Sequence, residues 1–384
     1  MNSSTSSSAQ NANQRSNSLD VAHLQALDTL RGLAACGVFV GHFTRQFYSS
    51  HQGEAWWLLL DRLGVIGVAV FFVLSGFLIH SGGIKEMRRG GQISWPAYAR
   101  RRFFRIYPAY LAALMLYGLL AQYLPSDNTS PASVVGVVSH VLLLSNFVPG
   151  QMHSINGVLW SVVIECHFYM LYPAVVWLGK RWPAGRVFVT TLVLGLAFFL
   201  VSTLLTQAGE VRTLWQQAAP AMFWKWMLGA MLAEMWLNGR FALLRRGLTP
   251  WWMLLPLLGL LYAGTFFNRG AYELTHHRFV LPVLCAALVG LFVFSPLARW
   301  RSRLGEWLGE VSYSIYLWHP LAIALALALW PAMGVVTLLS TLALTLVLAA
   351  MSYRWIEKPG MAWGKKLGTP APNSERVVAA ANKP

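Results

Sequence analysis

Charge is scarce in this chain. Only 11% of its 384 residues are Asp, Glu, Lys or Arg, where a soluble domain carries about 25%. A soluble globular enzyme does not fit that composition. Nor does a nucleic-acid-binding protein, despite a formal net charge of +16, because no soluble domain is there to carry a basic surface. Cysteine is scarcer still, with Cys36, Cys166 and Cys285 the only three. Each lies inside an apolar run, which leaves neither a disulfide framework nor the paired spacing of a metal site. Also missing are G-x-S-x-G, a Walker A sequence and H-E-x-x-H. Serine-hydrolase elbows, ATPases and zincins therefore have no local support.

Apolar residues are abundant, 56% of the whole, in repeated runs long enough to cross a bilayer of about 30 Å as helices. They fall at 29–47, 63–81, 108–124, 133–148, 157–179, 187–206, 220–237, 251–267, 279–295, 312–330 and 333–353. The pattern predicts an all-α polytopic membrane protein. The fourth run, SVVGVVSHVLLLSNFV, is short and carries His140, Asn146 and several serines. Lys and Arg collect on the cytoplasmic side of membrane helices, so charge can place it. If 133–148 does not span and the N-terminus is cytoplasmic, inner segments hold 23 Lys/Arg and outer ones 5. If it does span, the split becomes about 11 to about 17. The first arrangement predicts about ten spanning helices, both termini in the cytoplasm, and 133–148 outside or re-entrant.

Residues 1–23 are Ser/Asn/Gln-rich without apolar content and read as a disordered polar tail. One membrane domain, 24–359, and a second disordered tail, 360–384, complete the expected organisation. The first apolar run is not a cleavable signal peptide, since it contains Arg31 and His42 and no small-residue cleavage site follows.

Ionisable residues inside membrane helices are costly and mark function by default. In DTLRGLAACGVFVGHF, Arg31 and His42 are eleven residues apart. They fall within about 20° of one helical face and about 16 Å apart along the axis. One face of the first helix is thus expected to line a polar track. The most basic loop, KEMRRGGQISWPAYARRRFFRIYP, places Arg102 and Arg105 at i and i+3, a spacing that sets two guanidinium forks on one face; ordinary positive-inside charge is the other reading. In LWSVVIECHFYMLYP, Glu165 lies at a depth similar to that of His42, and a buried carboxylate needs a partner such as a histidine. Tyr313, Tyr316 and His319 share a face in VSYSIYLWHP. In YRWIEKP, Glu357 beside Arg354 reads first as a surface ion pair. Ser75 in FFVLSGFLI offers a hydroxyl, though serine and glycine in membrane helices usually serve close packing.

Taken in order, LDTLRGLAACGVFVGHF, FFVLSGFLI, RRRFFRIYP, LWSVVIECHFYMLYP, SYSIYLWHP and YRWIEKP resemble the recurring segments of the acyltransferase 3 family of integral membrane O-acyltransferases. The resemblance runs from about Leu24 to Pro359. The first segment carries the family's R-x10-H pattern at Arg31 and His42. Where the family often has a second acidic residue, this chain has Cys166, leaving Glu165 as the one carboxylate there. The stand-alone form is expected, without a C-terminal SGNH domain.

The resemblance implies transfer of an acyl group, often acetyl, from cytoplasmic acyl-CoA to a hydroxyl. Acceptors would be sugars of surface or secreted polysaccharide, or glycosylated small molecules. Acyl-CoA, acetyl-CoA in the simplest case, is then a donor substrate and no cofactor is held permanently. Arg102 and Arg105 would hold phosphates and Arg31 would guide the donor. His42 would act as general base or as an acyl-histidine relay, with Glu165 orienting its imidazole. Trp160, Tyr313, His319, Ser75 and Glu357 would support or bind substrate. The expected partners are the bilayer, acyl-CoA and a carbohydrate, in a bacterial inner membrane. A transporter is the rival reading, but no repeated halves are evident.

Overall fold

The computed structural model describes residues 3–120, 123, 132–207, 209–240, 255, 257–259, 276–295, 297, 302–329 and 334–367, with side chains from Gln25 onward. Among the described residues every regular element is helical. In chain order they are α1 (Ser3–Phe47), α2 (Ala55–Gly90), α3 (Trp95–Leu120), α4 (Val134–Val141), α5 (Leu159–Gly179), α6 (Ala184–Leu205), α7 (Glu210–Gln217) and α8 (Ala219–Leu237). A π turn, His276–Val280, leads into α9 (Leu281–Phe294), followed by α10 (Arg303–Glu310), α11 (Ser312–Leu329) and α12 (Val335–Ser352). A second π turn, Tyr353–Glu357, joins α12 to α13 (Lys358–Lys366).

Seven helices among the described residues are long and apolar enough to cross a membrane. With the apolar chains of α6 and α12 turned outward, Leu205 and Val336 each 80% exposed, the chain is an integral membrane protein. The segment at 251–267 lies almost wholly outside the described residues. The segment at 133–148 forms α4 and a 3-10 turn rather than a spanning helix; eight residues reach only about 12 Å. Its polar side faces the protein, with His140 at 0% exposure, and its valines face outward, Val134 at 81%. Tyr107 and Tyr110 donate their hydroxyls to the carbonyls of Val141 and His140 at 2.7 and 3.1 Å, tying α4 to α3.

α2 runs between α1 and α8. The α2–α8 seam closes at Gly229, where a Cβ would lie 1.8 Å from the Val73 carbonyl oxygen; only glycine lets the two backbones approach so closely. At the chain's far end the helix does not stop at 360, where the polar tail was expected. It continues as α13 because Gly364 packs directly on Phe104 of α3, where a Cβ would meet the Phe104 Cβ at 2.8 Å. At the other end the helical path of α1 reaches back to Ser3, through the stretch read as a polar tail.

Candidate active site: two cavities with a common wall

The first cavity, of about 330 Å³, is arginine-lined. Arg31 of α1 donates through Nη1 to Asp28 Oδ1 at 3.1 Å and through Nη2 to Ser312 Oγ at 3.2 Å. The Ser312 hydroxyl donates to the Gly309 carbonyl at 2.7 Å, which leaves its lone pairs for the guanidinium. Arg102 and Arg105 of α3 line the same cavity. The Arg102 guanidinium lies 5.9 Å from the centre of the Tyr169 ring, and Arg105 Nη1 reaches Met361 Sδ of α13 at 3.6 Å. Packing α13 onto α3 therefore helps aim Arg105. Leu78, Ile79 and Arg102 also line a neighbouring cavity of about 610 Å³, which adds Lys85, Arg89 and Arg101. The two form a basic region suited to several phosphates, which guanidinium forks bind in a bidentate fashion.

The second cavity, of about 640 Å³, holds His42 and Trp160. Val68, Phe72 and Tyr316 line both it and the arginine cavity. His42 Nδ1 and His319 Nε2 are 2.7 Å apart, and His319 Nδ1 lies 3.1 Å from the Ile315 carbonyl oxygen. A carbonyl can only accept, so His319 carries its proton on Nδ1 and, as a neutral ring, accepts at Nε2. The shared hydrogen bond must then be donated by His42 Nδ1–H. His42 Nε2 is left with a free lone pair on the ring edge opposite His319. One hydrogen-bond chain thus fixes the tautomer a general base needs.

The backbone around His319 is itself shaped for this. Pro320 interrupts the ladder of α11. One residue on, the Tyr117 hydroxyl inserts between Leu321 N, which donates to it at 2.9 Å, and the Leu317 carbonyl, which accepts from it at 3.0 Å. A side chain set into the i→i−4 ladder is a recognised cause of helix bending.

Two helix faces run along both cavities. On α1, Arg31 lines the first and His42 the second. On α11, Tyr313 lines the first and donates to the Ile106 carbonyl at 3.0 Å, Tyr316 lines both, and His319 backs His42. Two expected pairings are not made. Glu165 does not meet His42; it lines the arginine cavity and accepts from the Tyr169 hydroxyl at 2.5 Å, while His319 takes the place beside the imidazole. Glu357 is not a surface ion-pair partner of Arg354; it is 1% exposed and accepts from the Ser314 hydroxyl. The π turn at Tyr353–Glu357 changes the helical phase and turns it inward, toward the field of Arg105 and Arg31. Ser75 lines the arginine cavity but accepts from Trp226 Nε1 at 3.2 Å, in the tight α2–α8 seam.

Sequence reading passed over several residues of the second cavity: Arg45, Arg62, Lys225 and Arg278. Arg45 donates to Asp61 Oδ1 through Nε at 3.0 Å and Nη2 at 2.8 Å. Lys225 was the available signal, a lysine within an apolar helix. His153 also lines the cavity, and burial holds its imidazole below the ordinary range. Its loop is held by packing strong enough to keep fully buried Ile155 at φ 66°, a conformation costly for a β-branched residue.

The helices thus enclose a basic cavity and a histidine-dyad cavity with a common wall inside an integral membrane protein. Residues 24–354 match the family described as "Acyltransferase domain", and the chain belongs to that family, acyltransferase 3. It is 24% identical over 376 residues to a Staphylococcus aureus (strain COL) protein named "Putative O-acetyltransferase", covering 88% of this chain and 57% of that one. The chain thus spans little more than half the length of such relatives. Nodulation protein 10 of Rhizobium leguminosarum bv. viciae is 24% identical over 371 residues, covering 90% of this chain and 95% of its own. Acyltransferase MdmB of Streptomyces mycarofaciens is 32% identical over 173 residues, covering 44% and 43% of the two chains. No solved structure matches.

Proposed function

We propose that this protein is an O-acyltransferase that moves an acyl group, acetyl in the simplest case, from cytoplasmic acyl-CoA to a sugar hydroxyl. The sugar would belong to a surface or secreted polysaccharide or to a glycosylated small molecule. The observation that carries the reading is the wall common to the two cavities, Val68, Phe72 and Tyr316, with Arg31, Arg102 and Arg105 on one side and the His42–His319 pair on the other, beside a separate set of cations. The Lys and Arg residues at the end of α2 and the start of α3 support reading the arginine cavity as the cytoplasmic side of an inner membrane, with both termini on that side. CoA phosphates bind Arg102 and Arg105, and Arg31 guides the arm toward the wall. The acceptor occupies the histidine cavity.

Chemistry follows from the tautomer. His42 Nε2 takes the proton of the acceptor hydroxyl as its oxygen attacks the thioester carbonyl. The imidazolium is stabilised by the bond from Nδ1–H to His319. Collapse of the tetrahedral intermediate breaks the C–S bond, and the leaving thiolate takes the proton from His42 Nε2. Ester and free CoA result, with base and proton balance restored. The test is purified protein in liposomes with acetyl-CoA, measuring CoA release with and without saccharide, alongside mass spectrometry of cellular glycans with and without the gene. CoA release that no saccharide stimulates, with glycans unchanged by the deletion, would overturn the reading.

A further inference from the structure

The histidine cavity carries more positive charge than a general base requires. Lys225 of α8 and Arg278 of the π turn before α9 line it, together with Arg45 and Arg62. Asp61 balances Arg45 at 2.8 Å. Among the described residues, no carboxylate lines the cavity, and none pairs with Lys225 or Arg278. The two cations line the same cavity, so their like charges share one space. The Arg278 guanidinium sits 5.1 Å from the centre of the Phe199 ring, a contact that fixes its position without neutralising it.

An apolar helix bundle is an unfavourable place for two unpaired cations on one cavity. Such groups persist in membrane proteins where they face a polar cavity or a charged ligand. The cavity also suits a ligand of some size, since about 640 Å³ is within the range of small-molecule sites. We infer that the acceptor is anionic and that its oxyanion sits between Lys225 and Arg278 while a neighbouring hydroxyl reaches His42. Two sources supply that chemistry: the carboxylate of a sugar acid and a phosphate carried on the saccharide. This inference rests on the reading of the histidine cavity as the acceptor site. It adds the class of acceptor, which nothing in the His42–His319 geometry requires.

The inference is tested by binding, without turnover. Protein in phosphatidylcholine nanodiscs is saturated with CoA to fill the arginine cavity, then titrated with glucuronate, glucose 1-phosphate and glucose, with binding read by thermal shift. At least one anionic probe should bind about tenfold or more tightly than glucose, as a charge-assisted contact predicts. Glucuronate alone identifies a sugar acid, glucose 1-phosphate alone a phosphate, and both a general oxyanion site. The preference should vanish in Lys225→Met and Arg278→Met. Should either variant fail to fold, Lys225→Arg and Arg278→Lys keep the charge and should keep the preference. His42→Ala should keep it as well, which separates this outcome from the fate of the general base. Equal binding of all three probes, or an anion preference that survives both methionine substitutions, would overturn the inference.

Discussion

The two cavities treat their polar groups differently. In the arginine cavity the cations are held by neighbours: Arg31 by Asp28 and Ser312, Arg105 against Met361, Arg102 over Tyr169. Two described carboxylates, Asp28 and Glu165, are interleaved with them. In the histidine cavity the central contact joins two neutral imidazoles, and no described lining residue is acidic. The first arrangement positions fixed charge, as a site for a phosphate-rich ligand must. The second fixes where a proton sits, as a site for proton transfer must. Loss of a residue in the first should therefore appear in donor affinity, and loss in the second in turnover.

The widest separation is expected at His42. His42→Ala should lower turnover by about 10²–10⁴-fold, the usual cost of a general base, while acetyl-CoA affinity stays as in the wild type. Turnover and acetyl-CoA binding are to be measured separately on folded, membrane-inserted protein. A variant that keeps more than about a tenth of wild-type turnover would fall short of even the lower end of that range and remove the base assignment.

The reverse pattern is expected across the wall. Arg102→Ala and Arg105→Ala should each weaken acetyl-CoA binding by about 1.5–3 kcal/mol, the worth of a hydrogen bond to a charged group. That is about tenfold to about a hundredfold in Kd, with little change in maximal turnover. Isothermal titration with acetyl-CoA and with desphospho-CoA analogues gives both numbers. Unaltered affinity in the double variant would leave these arginines as ordinary positive-inside charge.

How much of this was legible in the sequence differs between the two regions. The cations of the arginine cavity come from the basic start of α3 and from Arg31, and ionisable residues in or beside an apolar run announce themselves. The shared face of Arg31 and His42 follows from helical spacing alone, as does that of Tyr313, Tyr316 and His319. The pairings do not. Depth along the helices offered Glu165 to His42, and only the packing of α11 against α1 puts His319 there instead. Glu357 turns inward through a π turn, which no 3.6-residue pattern predicts. Arg278 reaches the histidine cavity from another such turn, and Tyr117 acts by filling a gap in a ladder some 200 positions away. Those features depend on tertiary geometry, which spacing along one helix does not contain.

His319 offers a finer cut within the histidine cavity. His319→Phe leaves His42 Nδ1–H without its acceptor and frees the ring to adopt the wrong tautomer. The loss of one hydrogen bond, about 0.5–1.5 kcal/mol, sets an expected fall in turnover of up to about tenfold. His319→Gln presents an amide oxygen that can accept the same bond, and should recover most of the loss. The pH profile is the second readout: a positioning residue shifts the profile in the phenylalanine variant and restores it in the glutamine one. Equal damage from both substitutions would mean that His319 matters for its shape and not for its lone pair.

The smallest effect is expected at Ser75, where the two cavities' neighbourhood meets the α2–α8 seam. Its hydroxyl accepts from Trp226 Nε1 at 3.2 Å, and Gly229, one turn along α8 from Trp226, packs on Val73 so tightly that no Cβ fits. The local design is one of helix approach. Moreover, His42 lines the other cavity, and no described residue lining the arginine cavity is a histidine that could activate Ser75 as a nucleophile. Ser75→Ala removes one neutral hydrogen bond and adds no bulk, so stability should fall by about 0.5–1.5 kcal/mol. Turnover should change by no more than about threefold, the rate equivalent of the lower part of that range. Thermal unfolding of the purified protein and CoA release from acetyl-CoA measure the two quantities. A hundredfold loss of turnover with an unshifted unfolding temperature would instead make Ser75 a group that touches the reacting thioester, and the arginine cavity would then hold chemistry as well as the donor.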